Sequence, residues 1–108
     1  MKYIVRPLRK AQQDVDAILA WLIDVQKTPI GAAAWLDAYE TAAKALTRNP
    51  DRHSLAPESG LLDYELRQFL FKTKKGRTYR GIFAIVENEV RILRVRGPGQ
   101  AVVRPDDL

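Results

Sequence analysis

The chain contains no cysteine and a single histidine, His53. Without thiols there is no disulfide framework, no thiolate metal site and no cysteine nucleophile. One imidazole among scattered carboxylates does not make a ligand set, so neither a metal nor another cofactor is expected. No apolar run approaches the ~18 residues needed to cross a bilayer. The N-terminal stretch, MKYIVRPLRK, breaks its short apolar run with charge and lacks the apolar region of a secretory leader. Gly97-Pro98-Gly99 is too short for a phosphate loop and matches no nucleotide-binding fingerprint. These absences lead us to expect a cytoplasmic protein with no membrane contact.

What is present suits one compact domain. The chain has 108 residues, of which 46% are hydrophobic, enough for a single modest core. The net charge is +5, and it is unevenly spread. Residues 1–64 carry eight Lys/Arg and eight Asp/Glu, which cancel. Residues 65–96 carry nine Lys/Arg against three Asp/Glu. A local field of this kind attracts polyanions or acidic proteins.

The apolar pattern predicts the elements. Residues 2–6, KYIVR, read as a strand that stops at Pro7. Ala11, Val15, Ile18, Leu19, Leu22 and Ile23 recur at helical spacing, which predicts a helix from Arg9 to Gln26. Thr28-Pro29 is a helix-start signal. Ala32, Trp35, Leu36, Tyr39, Ala42, Ala43 and Leu46 form the next stripe, which ends at Asn49-Pro50. Residues 48–62 read as a loop. Three strands follow, Tyr64 to Phe71, Tyr79 to Val86 and Val90 to Arg96, with short links that imply an antiparallel meander. The expected fold class is α+β in the order β-α-α-β-β-β: an antiparallel sheet with a helical hairpin on one face and the other face partly open. Residues 1–96 form the expected domain and 97–108 an irregular tail. In the last strand, strict alternation points Leu93 and Val95 to one face, and Val90, Ile92, Arg94 and Arg96 to the other.

The residues able to carry chemistry are mostly basic. Arg67, Arg80, Arg94 and Arg96 lie on three adjacent strands, and Lys72, Lys74, Lys75 and Arg77 on the link between the first two. Together they are the candidate anion- or target-binding surface. Arginine clusters clamp phosphodiesters; alternatively, some of these arginines pair with Glu65, Glu87 or Glu89 across strands. The same four sheet arginines are the only candidates for catalysis. His53 lacks a specified partner, and no Ser-His-Asp arrangement is written in the chain. Trp21 and Trp35 suit helix packing, with one of them free to serve as a docking point. Tyr79 and Phe83 suit the core or base stacking.

The string Glu65-Leu66-Arg67-Gln68-Phe69-Leu70-Phe71, a basic link, Tyr79-Arg80-Gly81-Ile82-Phe83-Ala84-Ile85 and then Val90-Arg91-Ile92-Leu93-Arg94-Val95 resembles the sheet core of the RelE/ParE toxin superfamily, which includes plasmid stabilisation proteins. Ala11, Asp14 and Ile18, then Ala33, Trp35, Leu36 and Leu46 before Asn-Pro, fit the same pattern. The resemblance spans residues 3–96. It implies the toxin of a type II toxin–antitoxin system, neutralised by a cognate antitoxin. The RelE branch cleaves mRNA on the ribosome, using basic sheet residues and a C-terminal tyrosine or similar group. The ParE branch poisons DNA gyrase. Arg80 matches a phosphate-contacting arginine of the nuclease branch, and Arg67 a basic position on the preceding strand. Glu65 and Gln100 stand where that branch carries a lysine and an arginine. The tail after Arg96 has no Tyr or His, so no acid–base group for RNA cleavage is evident. The expectation is therefore a ParE-like toxin acting on gyrase, without an assigned enzymatic activity. The alternatives are a ribosome-dependent mRNA endonuclease and a nontoxic antitoxin- or nucleic-acid-binding module.

Overall fold

A computed structural model describes residues 2–100 and 102–108. Strand β1 (Ile4–Pro7) leads into helix α1 (Arg9–Asp24) and helix α2 (Pro29–Ala45). Strands β2 (Arg67–Phe71), β3 (Tyr79–Val86) and β4 (Glu89–Arg96) follow, with single 3₁₀ turns at Pro50–Arg52 and Pro105–Asp107. At the start of α2 the Thr28 hydroxyl accepts the Gly31 N–H at 3.0 Å, and Pro29 takes the first helical position, where its missing N–H costs nothing.

The sheet order is β1-β4-β3-β2. β2, β3 and β4 form the expected antiparallel meander, but β1 lies parallel to β4. The sheet is thus mixed rather than wholly antiparallel. The helical hairpin is the long crossover that a parallel return requires.

The helices cover one face. Ala11 and Val15 of α1 and Trp35, Tyr39 and Ala43 of α2 pack with Phe69, Phe71, Phe83, Val90, Ile92 and Val95. Trp35 meets Phe71 and Tyr79 edge-on, with ring centroids 5.4 Å away in both cases. Gly81 faces the ring of Phe69, which occupies the space a Cβ would need. The α1 stripe is less buried toward its end. Leu22 is half-buried, while Trp21 and Ile23 are exposed.

Two expectations about the sheet need correction. β4 does not alternate strictly, because Ile82 pairs with Arg94 but Phe83 pairs with Ile92, leaving Leu93 as an extra residue. This bulge puts Val90, Ile92 and Val95 under the helices and Leu93 on the opposite face. Nor is that opposite face open. Residues of the 53–66 segment and of the tail lie over it: Ala56, Leu62, Leu66, Val103 and Leu108 pack on Ile82, Ala84 and Leu93. Val103 and Leu66 are fully buried. Of the first residues of the expected Tyr64–Phe71 strand, Leu66 belongs to this cover while Tyr64 and Glu65 are exposed; ladder pairing with β3 starts only at Arg67.

Leu46, at 0% exposure, closes the helix-side core below α2. Leu46→Ala is expected to cost about 2–5 kcal/mol in urea unfolding. Half-buried Leu22→Ala should cost distinctly less, because its site can collapse toward solvent. Equal losses would contradict the packing described.

Candidate functional site

Arg80, Arg94 and Arg96 share the face away from the helices, whereas Arg67, expected beside them, pairs with Phe83 and alternates with Phe69 and Phe71 on the helix side. Arg80 lies opposite Arg96 across β3 and β4, and Ile82 opposite Arg94. Like charges so close repel unless each finds a counter-charge. Each has one. The Arg80 fork meets Glu58, with Nη1 donating to Oε1 at 2.8 Å and Nη2 to Oε2 at 2.5 Å. Glu58 is 0% exposed, and its Oε2 also accepts the Val103 N–H at 2.9 Å. Burial by itself pushes the Glu58 carboxyl up, but the Arg80 and Val103 hydrogen bonds win and hold it below the usual carboxylate range.

Arg94 reaches around the sheet edge to α1. Its Nε and Nη2 donate to the two Asp14 oxygens, each at 2.8 Å, and its Nη1 donates to the Asp107 carbonyl at 2.8 Å. Asp14 Oδ2 accepts the Val95 N–H at 2.9 Å as well. β1 has ended by this point, since Pro7 pairs with Ile92, so Asp14 caps the part of β4 that β1 leaves bare. Arg96 lies 3.8 Å from Asp107. Arg67 donates to the His53 carbonyl at 2.6 Å and to Glu65 at 3.0 Å. Of the acids foreseen as partners, only Glu65 pairs with one of these four. Glu89 instead contacts Arg6 and Arg91.

The β2–β3 hairpin is the opposite case. Lys72, Lys74, Lys75 and Arg77 are all exposed, and among the described residues no ion pair involves them. The turn closes through the Gly76 N–H to the Thr73 carbonyl at 3.1 Å. These four cations stand against a net charge of +5 for the whole chain. The positive field of the molecule therefore comes mainly from this one hairpin.

Sequence reasoning brought Arg80, Arg94 and Arg96 together and foresaw Glu65 for Arg67, but it placed Arg67 on the wrong face and missed the partners of the other three. Glu58, Asp14 and Asp107 come from a loop, a helix and the tail. The available signal was apolar content: Leu55, Ala56, Leu61 and Leu62 in the loop and Val102, Val103 and Leu108 in the tail are too many for fully solvated segments. His53 is half-buried, with its ring edge-on to Phe83 at 5.8 Å. Among the described residues no group of His, Asp and Glu could hold a metal. Burial raises the Tyr79 phenol, with nearby Arg77 opposing only in part, so it stays protonated at neutral pH. A cleft of about 890 Å³ opens between α1, the start of α2, the hairpin and the tail.

Removing Arg80 strands a buried carboxylate. Arg80→Ala is expected to destabilise by about 3–5 kcal/mol, read by thermal or urea unfolding. The pH dependence has a definite sign. Because the Glu58 carboxyl is held below its unfolded value, its contribution is present above the ordinary carboxylate range and is lost as pH falls through the lower, folded value. Glu58→Gln should therefore flatten the acid limb of the stability curve. An unaltered acid limb would remove the ion pair from this role.

Comparison with known proteins places these features. The family described as the ParE toxin of the type II toxin–antitoxin system parDE matches residues 5–101. A solved chain from the chromosomal ParDE toxin–antitoxin system of P. aeruginosa is similar in fold. It has a TM-score of 0.63 and 19% identity, covering 88% of this chain and 95% of that one. No curated protein matches the sequence significantly. The two helices packed on a four-stranded mixed sheet, and a family match over nearly the whole chain, have one conclusion: the protein belongs to the ParE toxin family of type II toxin–antitoxin systems.

Proposed function

We propose that the protein arrests growth by binding DNA gyrase in the cytoplasm, and that a cognate antitoxin neutralises it. The observation that carries this reading is the internal commitment of the sheet arginines. Arg80 is filled by Glu58 and Arg94 by Asp14, so neither offers its fork to an mRNA phosphate. A sheet that cleaved RNA would need those donors free and an acid–base group beside them. Arg67, Arg80, Arg94 and Arg96 then serve mainly to hold the loop, α1 and tail in place. Lys72, Lys74, Lys75 and Arg77 are the cations left to meet a target or an acidic partner. That no helix among the described residues is long and apolar enough to cross a membrane is consistent with the proposed location.

The purified protein is expected to reduce gyrase supercoiling and to accumulate gyrase–DNA cleavage complexes. Unchanged gyrase activity would overturn the reading. Mapping of mRNA ends after induction separates the alternative: cuts at ribosomal A sites would make the protein a nuclease despite its filled arginines. Growth arrest relieved by a co-expressed antitoxin gene is the expected outcome in cells, and absence of arrest would mark a nontoxic binding module.

A further inference from the structure

The 890 Å³ cleft falls within the ~300–1,000 Å³ typical of ligand sites. None of the sheet ion pairs fills it. Its walls include Trp21, Trp35 and Tyr79, and Arg77 stands on its rim. Trp35 and Tyr79 are fixed by the core. Trp21 is different. It is 47% exposed, although its helix has a buried face to offer. A large aromatic surface left in water on a concave wall is a docking platform.

Three further observations bear on what docks. The one carboxylate in the cleft wall, Asp14, is already bound by Arg94 and the Val95 N–H. The uncommitted charge around the cleft is therefore positive: Arg77 on the rim and Lys74 and Lys75 on the same hairpin turn. The indole N–H of Trp35 is buried without an acceptor, an unusual state for a buried donor. Finally, Gly97 packs directly against the Tyr79 ring, so that ring is held in the wall.

We propose that this cleft binds single-stranded nucleic acid, with one base stacked on Trp21 and the adjoining phosphates against Lys74, Lys75 and Arg77. An aromatic platform beside a track of free cations is the arrangement such ligands use, because every base has a π-face and every linkage a charge. Gln26, Thr73, Arg77 and Gln100 stand among the apolar lining, polar groups that a base edge and a phosphate can use. Duplex nucleic acid keeps its bases stacked inside and could use only the cations. The proposal goes beyond gyrase binding and stands or falls separately from it.

The test titrates the full chain with a single-stranded oligothymidylate or oligouridylate of about eight nucleotides at low salt, following tryptophan fluorescence. Trp35 is 3% exposed and Trp21 47%, and both line the cleft, so loss of the quenching in Trp21→Leu assigns it to Trp21. Saturable quenching is expected. Trp21→Leu should weaken binding about tenfold or more in an anisotropy assay with labelled oligonucleotide, and Trp21→Phe should restore much of it. The triple variant Lys74→Ala, Lys75→Ala, Arg77→Ala should lower affinity and flatten the salt dependence by about 0.7 log units per decade for each phosphate left without its cation. All substituted residues but Trp21 are on an exposed turn, and thermal melts confirm that each variant folds. Binding unaffected by Trp21→Leu, equal affinity for the matching duplex, or no binding at low salt would each overturn the proposal. So would an acidic amphipathic peptide that quenches Trp21 where the oligonucleotide does not. Gyrase inhibition is measured apart from these titrations, so failure here leaves that reading standing.

Discussion

The carboxylate of Glu58 sits out of contact with water between the Arg80 guanidinium and the Val103 N–H. Three parts of the chain meet there: the loop after α2, the central strand β3 and the tail. Burying a charge is costly unless it is paired and fully hydrogen-bonded. Each partner is therefore needed by the others. If the tail lifts, Glu58 loses a donor; if the loop lifts, Arg80 faces Arg96 without its counter-charge. The apolar cover of the sheet, with Ala56, Leu66 and Val103 on Ile82 and Ala84, closes around this contact. It turns a two-layer arrangement of helices on a sheet into one with both faces protected.

A second contact does the same at the sheet edge. β1 is short and leaves the end of β4 bare. The bulge at Leu93 lets Arg94 swing over that edge, and Asp14 answers it from α1 while capping the Val95 N–H. One aspartate thus ties helix to strand with three hydrogen bonds. Arg94 also holds the Asp107 carbonyl, so the tail is anchored at two places on the same face.

These contacts redistribute charge in a way that bears on function. Most cations of the sheet are neutralised internally, whereas those of the β2–β3 hairpin are not. The sheet presents a covered face whose arginines are paired, and, among the described residues, unpaired, exposed cations stand on the β2–β3 hairpin. The surface we propose for a macromolecular target is accordingly the hairpin and the neighbouring cleft, where Trp21 is exposed. Electrostatic attraction to such a hairpin governs encounter rate and salt sensitivity more than it governs fold stability.

The sequence alone determined the elements and their order. Helical spacing from Ala11 to Leu22, the Thr28-Pro29 start and the strand around Tyr79–Val86 are local patterns, set by side-chain periodicity and backbone chemistry within a few residues. The ordered motifs from Tyr3 to Arg96 likewise pointed to the toxin family, and the absence of a Tyr or His after Arg96 pointed away from RNA cleavage. Only the tertiary structure decided that β1 runs parallel to β4, that the loop and tail cover the second face, and that the sheet arginines are occupied. Those facts depend on pairs such as Asp14 with Arg94 and Glu58 with Val103, separated by 80 and 45 residues. No local spacing encodes such pairs, because which acid reaches which arginine is settled by packing, and a single extra residue at Leu93 is enough to change the face a side chain takes.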